Sequence, residues 1–261
     1  AFHVATPALI FSSVAVSDTD AFFSPVILVI AVATVLTMLI YWAISAVWFK
    51  QDAAETMAGA ASASYYNSVN IGLPIATYVL GDPTYVIPAL VLQMAVLSPI
   101  VIAGLDRGAS GFVKSVLSGL TAPVVVAAFA GFAVSAASWQ VPEPVLAPLE
   151  ILGGASIPLI LMSFGASLTG EKVLQSHRLP TTTATALKLI GMPAVAWVVA
   201  KLLHLGPEET YAALILCALP TAQNVYNYAA TYRSGEVICR DTVFLTTFLA
   251  LPAMLLIAGV F

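Results

Sequence analysis

The chain consists almost entirely of apolar stretches that are long enough to cross a membrane. Nine such stretches cover approximately residues 1–16, 25–48, 54–80, 84–105, 121–139, 145–168, 181–203, 209–232 and 237–261. A helix needs about 20 apolar residues to cross the hydrocarbon core, and its backbone polar groups must find partners inside the protein. The pattern predicts an all-α polytopic membrane protein. The first stretch is short, and we interpret it as the remainder of a longer helix.

The composition excludes several other classes of protein. Charged residues make up 8% of the chain, whereas a typical soluble domain has about 25%. The net charge of −4 comes without a basic cluster, so we expect no nucleic-acid partner. Cys217 and Cys239 stand apart, and His3, His177 and His204 are scattered. We therefore predict neither a metal site nor a cofactor.

The cationic residues divide the loops into two sets. Only Lys201 lies in one set of alternate loops, and Lys188 lies inside an apolar stretch. The other set holds Lys50, Arg107, Lys114, Lys172, Arg178, Arg233 and Arg240. Positively charged loops stay in the cytoplasm, so we predict a multi-pass protein of the cell (inner) membrane with its C-terminus outside.

An internal repeat relates the two halves of the chain. The segment 5–12, around Pro7, resembles the segment 156–163, around Pro158, at an offset of 151 residues. Asn70 and Asn224 are separated by 154 residues. We predict a first repeat over 1–105, a cytoplasmic connecting loop over 106–120 and a second repeat over 121–261. The first half has no counterpart of the helix at 121–139, so we expect one more helix before residue 1. Each repeat would then contain five helices. Because five is an odd number of membrane crossings, the two repeats must have opposite orientations in the membrane, which is an inverted topology.

One apolar stretch in the first repeat contains amides beside residues that break helices. Asn67 and Asn70 are followed by Gly72 and Pro74. Pro74 cannot donate a hydrogen bond to the carbonyl of Asn70, and Gly72 lowers the cost of an unwound backbone. The segment is therefore predicted to be a broken helix that presents a free carbonyl and amide groups.

A matching segment occurs in the second repeat. Pro220 is expected to free the carbonyl of Leu216. The polar and aromatic residues that follow, and that we expect to line a pocket, are Thr221, Gln223, Asn224, Tyr226 and Asn227. If the two breaks cross, two positive half-helix ends and several neutral amides meet, which suits an anion such as a carboxylate. The alternative is that the amides only join helices by hydrogen bonds.

The sequence of the chain resembles that of the auxin efflux carrier family, which includes the plant PIN proteins and bacterial malonate or organic-anion permeases. The matching motifs lie in order along the chain at 5–9, 70–74, 156–159, 187–189 and 219–224. The short loop at 106–120 is similar to that of the prokaryotic carriers, so auxin itself is not the expected substrate.

The resemblance implies a ten-helix inverted-repeat fold, similar to that of bile-acid symporters and sodium/proton antiporters, with two crossing broken helices. It also implies interleaved scaffold and transport domains, elevator-like alternating access and a homodimer. The expected function is secondary transport of small organic anions, either mono- or dicarboxylates. The alternatives are a sodium- or proton-coupled cation antiporter on the same fold, or a non-transporting sensor or channel.

Four other polar residues are candidates for coupling or for supporting the site. We interpret Lys188 first as a lysine that extends to the headgroups, and Glu150 first as an interfacial residue. Gln93 and Ser163 are interpreted first as residues that join helices by hydrogen bonds, and the alternative is that they support the lining of the site. An intramembrane protease is not expected, because the G-x-S-G sequence at 108–111 lies in a charged loop and no mid-membrane histidine accompanies it. We therefore predict that the protein is not an enzyme.

Overall fold

The computed structural model is helical throughout the part of the chain that it describes. That part comprises residues 4–16, 24–72, 75–80, 86–106, 120–121, 123–156, 158–159, 162, 166 and 172–260. Within these residues no strand occurs. The predicted all-α class is confirmed. The connecting loop predicted at 106–120 lies almost wholly outside the described residues.

In the described part of the first half of the chain, irregular segments separate five α-helices. They are α1 (Ala5–Ala15), α2 (Pro25–Ile44), α3 (Ala53–Ser64), α4 (Val86–Val91) and α5 (Ser98–Leu105). Four π-helical segments accompany them at Ser45–Phe49, Ser68–Gly72, Ala76–Leu80 and Leu92–Leu97. α2 and α3 each have a side-chain cap at the N-terminus. The side chain of Ser24 accepts from the Val26 N–H, and that of Asp52 accepts from the Glu55 N–H.

Seven more α-helices lie in the described part of the second half. They are α6 (Pro123–Ala136), α7 (Glu143–Gly154), α8 (Arg178–Ala186), α9 (Met192–Leu202), α10 (Pro207–Cys217), α11 (Gln223–Tyr232) and α12 (Glu236–Ala258). A π-helical turn at Leu187–Gly191 joins α8 to α9. The result is a single continuous helix from Arg178 to Leu202.

Four helices in the described part of the chain are long and apolar enough to cross a bilayer. They are Pro25–Phe49, Pro88–Leu105, Arg178–Leu202 and Glu236–Ala258, and each coincides with one of the predicted stretches. Ala5–Ala15 and Val125–Ala136 are shorter apolar helices. These helices support a membrane protein, as the sequence predicts.

The helices pack in two groups. In the smaller group, α1 packs against both α6 and α7. Small residues allow this close approach: a side-chain carbon at Gly153 would lie 2.8 Å from the Cα of Leu9, and one at Gly131 would lie 3.1 Å from the carbonyl oxygen of Phe11. The larger group contains α2, α3, α5 and α8 to α12, which share two apolar cores. A third core, formed by residues of α1, α4, α5 and α6, joins the two groups.

A buried carboxylate ties the segment before α8 to α12. Asp241, which is fully buried, accepts from the Leu174 N–H at 2.8 Å and from Nε of the adjacent Arg240 at 2.8 Å. Arg178 in turn donates to the carbonyl of Leu174 at 2.7 Å. Both backbone groups of Leu174 are therefore held, and the entry to α8 is anchored to the larger helix group.

Candidate functional site

The helical path is interrupted after α3, at the amides that the sequence singled out. α3 ends at Ser64, and Tyr65 adopts an extended conformation. Helical structure returns as the π-helical segment Ser68–Gly72, in which the Gly72 N–H donates to the carbonyl of Asn67 at 2.8 Å. Pro74, the predicted breaker, lies outside the described residues.

A second interruption separates α10 from α11. α10 ends at Cys217, and α11 begins at Gln223 after an extended Ala222. The prediction that Pro220 frees the carbonyl of Leu216 is wrong, because the Leu219 N–H donates to that carbonyl at 3.4 Å. α10 has already ended before Pro220. The carbonyl of Cys217, at the end of α10, accepts a hydrogen bond from the side chain of Lys188.

Direct hydrogen bonds join the two interruptions. The backbone N–H of Asn67 donates to the carbonyl of Pro220 at 2.9 Å. The side chain of Asn70 donates to Oε1 of Gln223 at 2.9 Å. Behind them, the hydroxyl of Thr221 donates to the carbonyl of Ser62 at 2.7 Å. Residues about 150 positions apart are thus brought into contact at one point.

A small cavity of about 30 Å³ lies at this junction. It is lined by Thr6, Leu9, Ile10, Tyr66, Asn67, Ser68, Asn70, Leu90, Gln93, Ser156, Ala222 and Asn224. Of the predicted site residues, the structure brings together three asparagines and Gln93. The described lining contains no charged side chain, so its polar groups are neutral amides, hydroxyls and backbone groups.

One buried amide nitrogen in this lining lacks a hydrogen-bond partner. Nδ2 of Asn67 is buried and has no partner, while its Oδ1 accepts from the Asn70 N–H at 3.2 Å. The half-buried side chain of Asn224 contacts Sδ of Met94 at 3.8 Å and also hydrogen-bonds the hydroxyl of Tyr228. Buried donors normally have partners, so Nδ2 of Asn67 is marked for a ligand acceptor or a water.

The other amide at the junction, Gln93, is committed to the backbone. Its Oε1 accepts from the N–H of Tyr66 at 3.0 Å, and the hydroxyl of Tyr66 donates to the carbonyl of Ala89 at 2.7 Å. Gln93 therefore holds the unwound chain after α3 in position. Whether Gln93 also supports substrate binding, as the sequence predicts, stays a prediction.

Several predicted site residues lie away from the cavity. Gln223 bonds Asn70 from the side, and Thr221 donates to α3, so neither lines it. Tyr226 packs in the core that α3 and α11 share. The backbone carbonyl of Asn227 accepts from the hydroxyl of Thr231 at 2.7 Å. These four residues belong to the surrounding structure. Ser163 lies outside the described residues.

Glu150 and Lys188 lie apart from the cavity lining and differ in burial. Glu150 is exposed on α7, which agrees with its interpretation as an interfacial residue. Lys188 is 0% exposed, so the interpretation of it as a lysine that extends to the headgroups is wrong. Its Nζ donates to the carbonyl of Cys217 at 2.5 Å and contacts Sδ of Met192 at 3.1 Å. The helix starts at Arg178, earlier than predicted, which places Lys188 deeper.

Sequence reasoning missed two hydroxyls in the cavity lining. Thr6 on α1 and Ser156, just after α7, share a hydrogen bond of 2.9 Å between their oxygens. The signal was present, because Thr6 directly precedes Pro7 and Ser156 lies two residues before Pro158, in the repeat-related segments. The sequence made Ser163, at the end of the second repeat segment, a candidate for lining the site, but not Thr6 or Ser156.

Comparison with known proteins places the chain among membrane transporters. A family model described as "Membrane transport protein" matches residues 1–110 and 110–258. The chain is 26% identical over 269 residues to a protein of Rhizobium meliloti named "Putative malonate transporter", and the match covers 97% of this chain and 82% of that protein. It is 26% identical over 123 residues to an uncharacterized transporter of Methanocaldococcus jannaschii, covering 47% of this chain and 38% of that protein.

Proposed function

The chain belongs to the membrane transport protein family, and we propose that it is a secondary carrier of small organic anions, either mono- or dicarboxylates. The observation that carries this proposal is the cavity between the two interruptions, with the unpaired Nδ2 of Asn67 inside it. The name of the Rhizobium relative agrees with a carboxylate as the substrate.

The donors at the cavity suit a carboxylate group. Asn67 offers an amide N–H without an acceptor, and the half-buried amide of Asn224 lies in the same lining. Ala222 and Asn224 also lie at the start of α11, where no side chain caps the free backbone N–H groups. A helix start carries a partial positive charge, so it adds a favourable field for an anion without a cationic side chain.

The lengths of the helices support two broken spans that cross in the membrane. α3 has 12 residues and α10 has 11 residues, so each is about 17 Å long, whereas the hydrocarbon core is about 30 Å thick. Neither helix can cross alone. Each needs the segment beyond its interruption to complete the span, as in inverted-repeat carriers.

Transport requires the cavity to open. A volume of about 30 Å³ holds roughly one water molecule, which is less than any organic acid needs. The lining comes from both helix groups, with Thr6 and Ser156 from the side of α1 and α7, and the asparagines from the interruptions. We infer that the α1, α6 and α7 group is the scaffold, and that the larger group moves against it in elevator-like alternating access. A C-terminus outside the inner membrane and a homodimer remain parts of this proposal.

Lys188 has a supporting role in this scheme. Its position against the carbonyl of Cys217 puts a cationic group at the negative end of α10. We propose that it stabilises the interruption after α10 and does not touch the substrate, since it is absent from the cavity lining.

Binding measurements on matched variants test the proposal. Purified protein is titrated with short carboxylates by calorimetry, and thermal stabilisation by the same acids is measured, because a ligand of the folded state raises the melting temperature. Asn224→Ala and Asn67→Ala are expected to weaken binding at least tenfold. Asn227→Ala, on the same helix as Asn224 but off the cavity, is expected to bind as the unchanged protein does.

The outcomes separate the alternatives. Carboxylate binding that survives both Asn224→Ala and Asn67→Ala would remove the cavity from the proposal. Stabilisation by sodium or by pH alone would instead favour a cation antiporter. Saturable, exchangeable uptake into proteoliposomes distinguishes a carrier from a channel or a sensor.

A further inference from the structure

Two hydroxyl groups line a part of the cavity that the proposed carboxylate site does not use. Thr6 is 6% exposed and Ser156 is 0% exposed, and their oxygens are 2.9 Å apart. They are held by the close packing of α1 against α7, where Gly153 lets the helix backbone approach Leu9. The pair is therefore a fixed feature of this wall of the cavity.

The pair has hydrogen-bonding capacity left over. Two hydroxyls carry two protons and four lone pairs, and their mutual bond uses one proton and one lone pair. In the described part of the chain, the bond between them is the one that either hydroxyl makes. A second proton and further lone pairs are thus available in a buried place, where unused polar groups cost free energy.

The hydroxyl pair lies in a cavity whose lining is partly apolar. Leu9, Ile10 and Leu90 give the cavity apolar surface. Strong donors are found in two places in the described lining: at the amides of the interruptions, and at Thr6 and Ser156. A ligand that satisfies both places needs a polar group at each end and a short apolar body between them.

We propose that Thr6 and Ser156 form a specificity subsite that selects short carboxylates with a neutral hydroxyl at the other end, such as 3-hydroxy acids, over simple alkanoates. This inference rests on the proposed function. The carboxylate binds at Asn67 and at the start of α11, and the hydroxyl of the ligand binds the hydroxyl pair. Because a hydroxyl both donates and accepts, the pair suits an alcohol, whereas a second carboxylate would be a buried charge without a cation in the described lining.

Propionate, 3-hydroxypropionate and lactate are the matched probes. The two hydroxy acids each differ from propionate by one hydroxyl, which lies at the far end of 3-hydroxypropionate and next to the carboxylate of lactate. One net hydrogen bond corresponds to about a three- to tenfold difference in Kd. 3-Hydroxypropionate is therefore expected to bind at least about threefold more tightly than propionate, and lactate is expected to bind as propionate does.

Calorimetric titration of the full chain and of side-chain variants tests the subsite. The double variant Thr6→Val/Ser156→Ala keeps the shape of the wall and removes both hydroxyls. It is expected to bind propionate as before and to lose the preference for 3-hydroxypropionate. Ser12→Ala is the control, because Ser12 is also buried on α1 but bonds the carbonyl of Leu9 and does not line the cavity.

The outcomes distinguish this inference from the proposed function. Equal affinities of the unchanged protein for all three acids overturn the subsite and leave the carrier proposal intact. A preference that persists in the double variant, or that Ser12→Ala also abolishes, overturns it as well. Absence of binding by all three acids contradicts the proposed function itself. The single variants Thr6→Val and Ser156→Ala are measured too, so a folding defect of the double variant does not decide the result.

Discussion

Replacing Thr221 by valine should weaken the junction of the two interruptions by removing one hydrogen bond. The hydroxyl of Thr221 donates to the carbonyl of Ser62, near the end of α3, at 2.7 Å. That carbonyl belongs to the last turn of the helix, where backbone acceptors lack partners within the helix. The next possible backbone donor, the Tyr66 N–H, is taken by Gln93. Thr221→Val therefore leaves a buried carbonyl without a donor.

The expected cost follows from that unsatisfied group. An orphaned buried acceptor costs about 1–3 kcal/mol. For a chain of this size each kcal/mol lowers the melting temperature by roughly 2–4 °C, so a decrease of roughly 2–12 °C is expected. Thr37→Val is the matched control, because Thr37 is equally buried but its hydroxyl donates to the Ala33 carbonyl of its own helix. That carbonyl keeps its backbone donor, and we expect a change of less than about 0.5 kcal/mol.

The two cysteines provide the assay. Cys217 and Cys239 are free and buried, so a dye that fluoresces on reacting with thiols reports unfolding during a temperature ramp. Scan rate and detergent are kept constant, because unfolding of this kind is often irreversible. If Thr221→Val melts no lower than Thr37→Val, the bond to Ser62 does not stabilise the junction, and the reasoning is refuted.

Three further substitutions test other contacts by the same thermal assay. Gln93→Leu removes the acceptor of the Tyr66 N–H, so a loss of about 1–3 kcal/mol and weaker carboxylate binding are expected; unchanged values of both would contradict its role. Asp241→Asn removes the charge that holds Leu174, so a loss of about 1.5–3 kcal/mol and faster proteolysis at 172–177 are expected; proteolysis at the original rate would argue against the anchor. Lys188→Ala leaves a buried cavity and an uncapped carbonyl, so a loss of about 2–5 kcal/mol is expected; a neutral result would show that the lysine does not support α10.

Local rules were enough to locate the junction. Amides next to prolines in apolar stretches are expensive unless they line a cavity, and Asn67, Asn70 and Asn224 do line one. The internal repeat, in which Asn70 and Asn224 occupy corresponding positions, indicated the same two segments. The roles of these asparagines in binding a substrate stay predictions that the variants above test.

The rest of the lining depended on contacts that a single segment does not encode. Thr6 and Ser156 meet because α1 and α7 pack closely, which no local pattern shows. Lys188 is buried because the end of α10 packs against its helix and offers the carbonyl of Cys217 as an acceptor. The side on which a residue lies in a bundle depends on its neighbours, and periodicity alone was too weak to show it in these apolar helices.

The pairing of the two interruptions explains why they occur together. An unwound segment in a membrane exposes backbone groups that lipid cannot satisfy. Here the Asn67 N–H of one interruption is satisfied by the Pro220 carbonyl of the other, and the Asn70 amide by Gln223. Either interruption alone would leave these groups without partners. Each interruption therefore supplies the hydrogen-bond partners that the other needs in the bilayer. A change that closes one into a regular helix should therefore destabilise its partner, although the two lie about 150 residues apart in the chain.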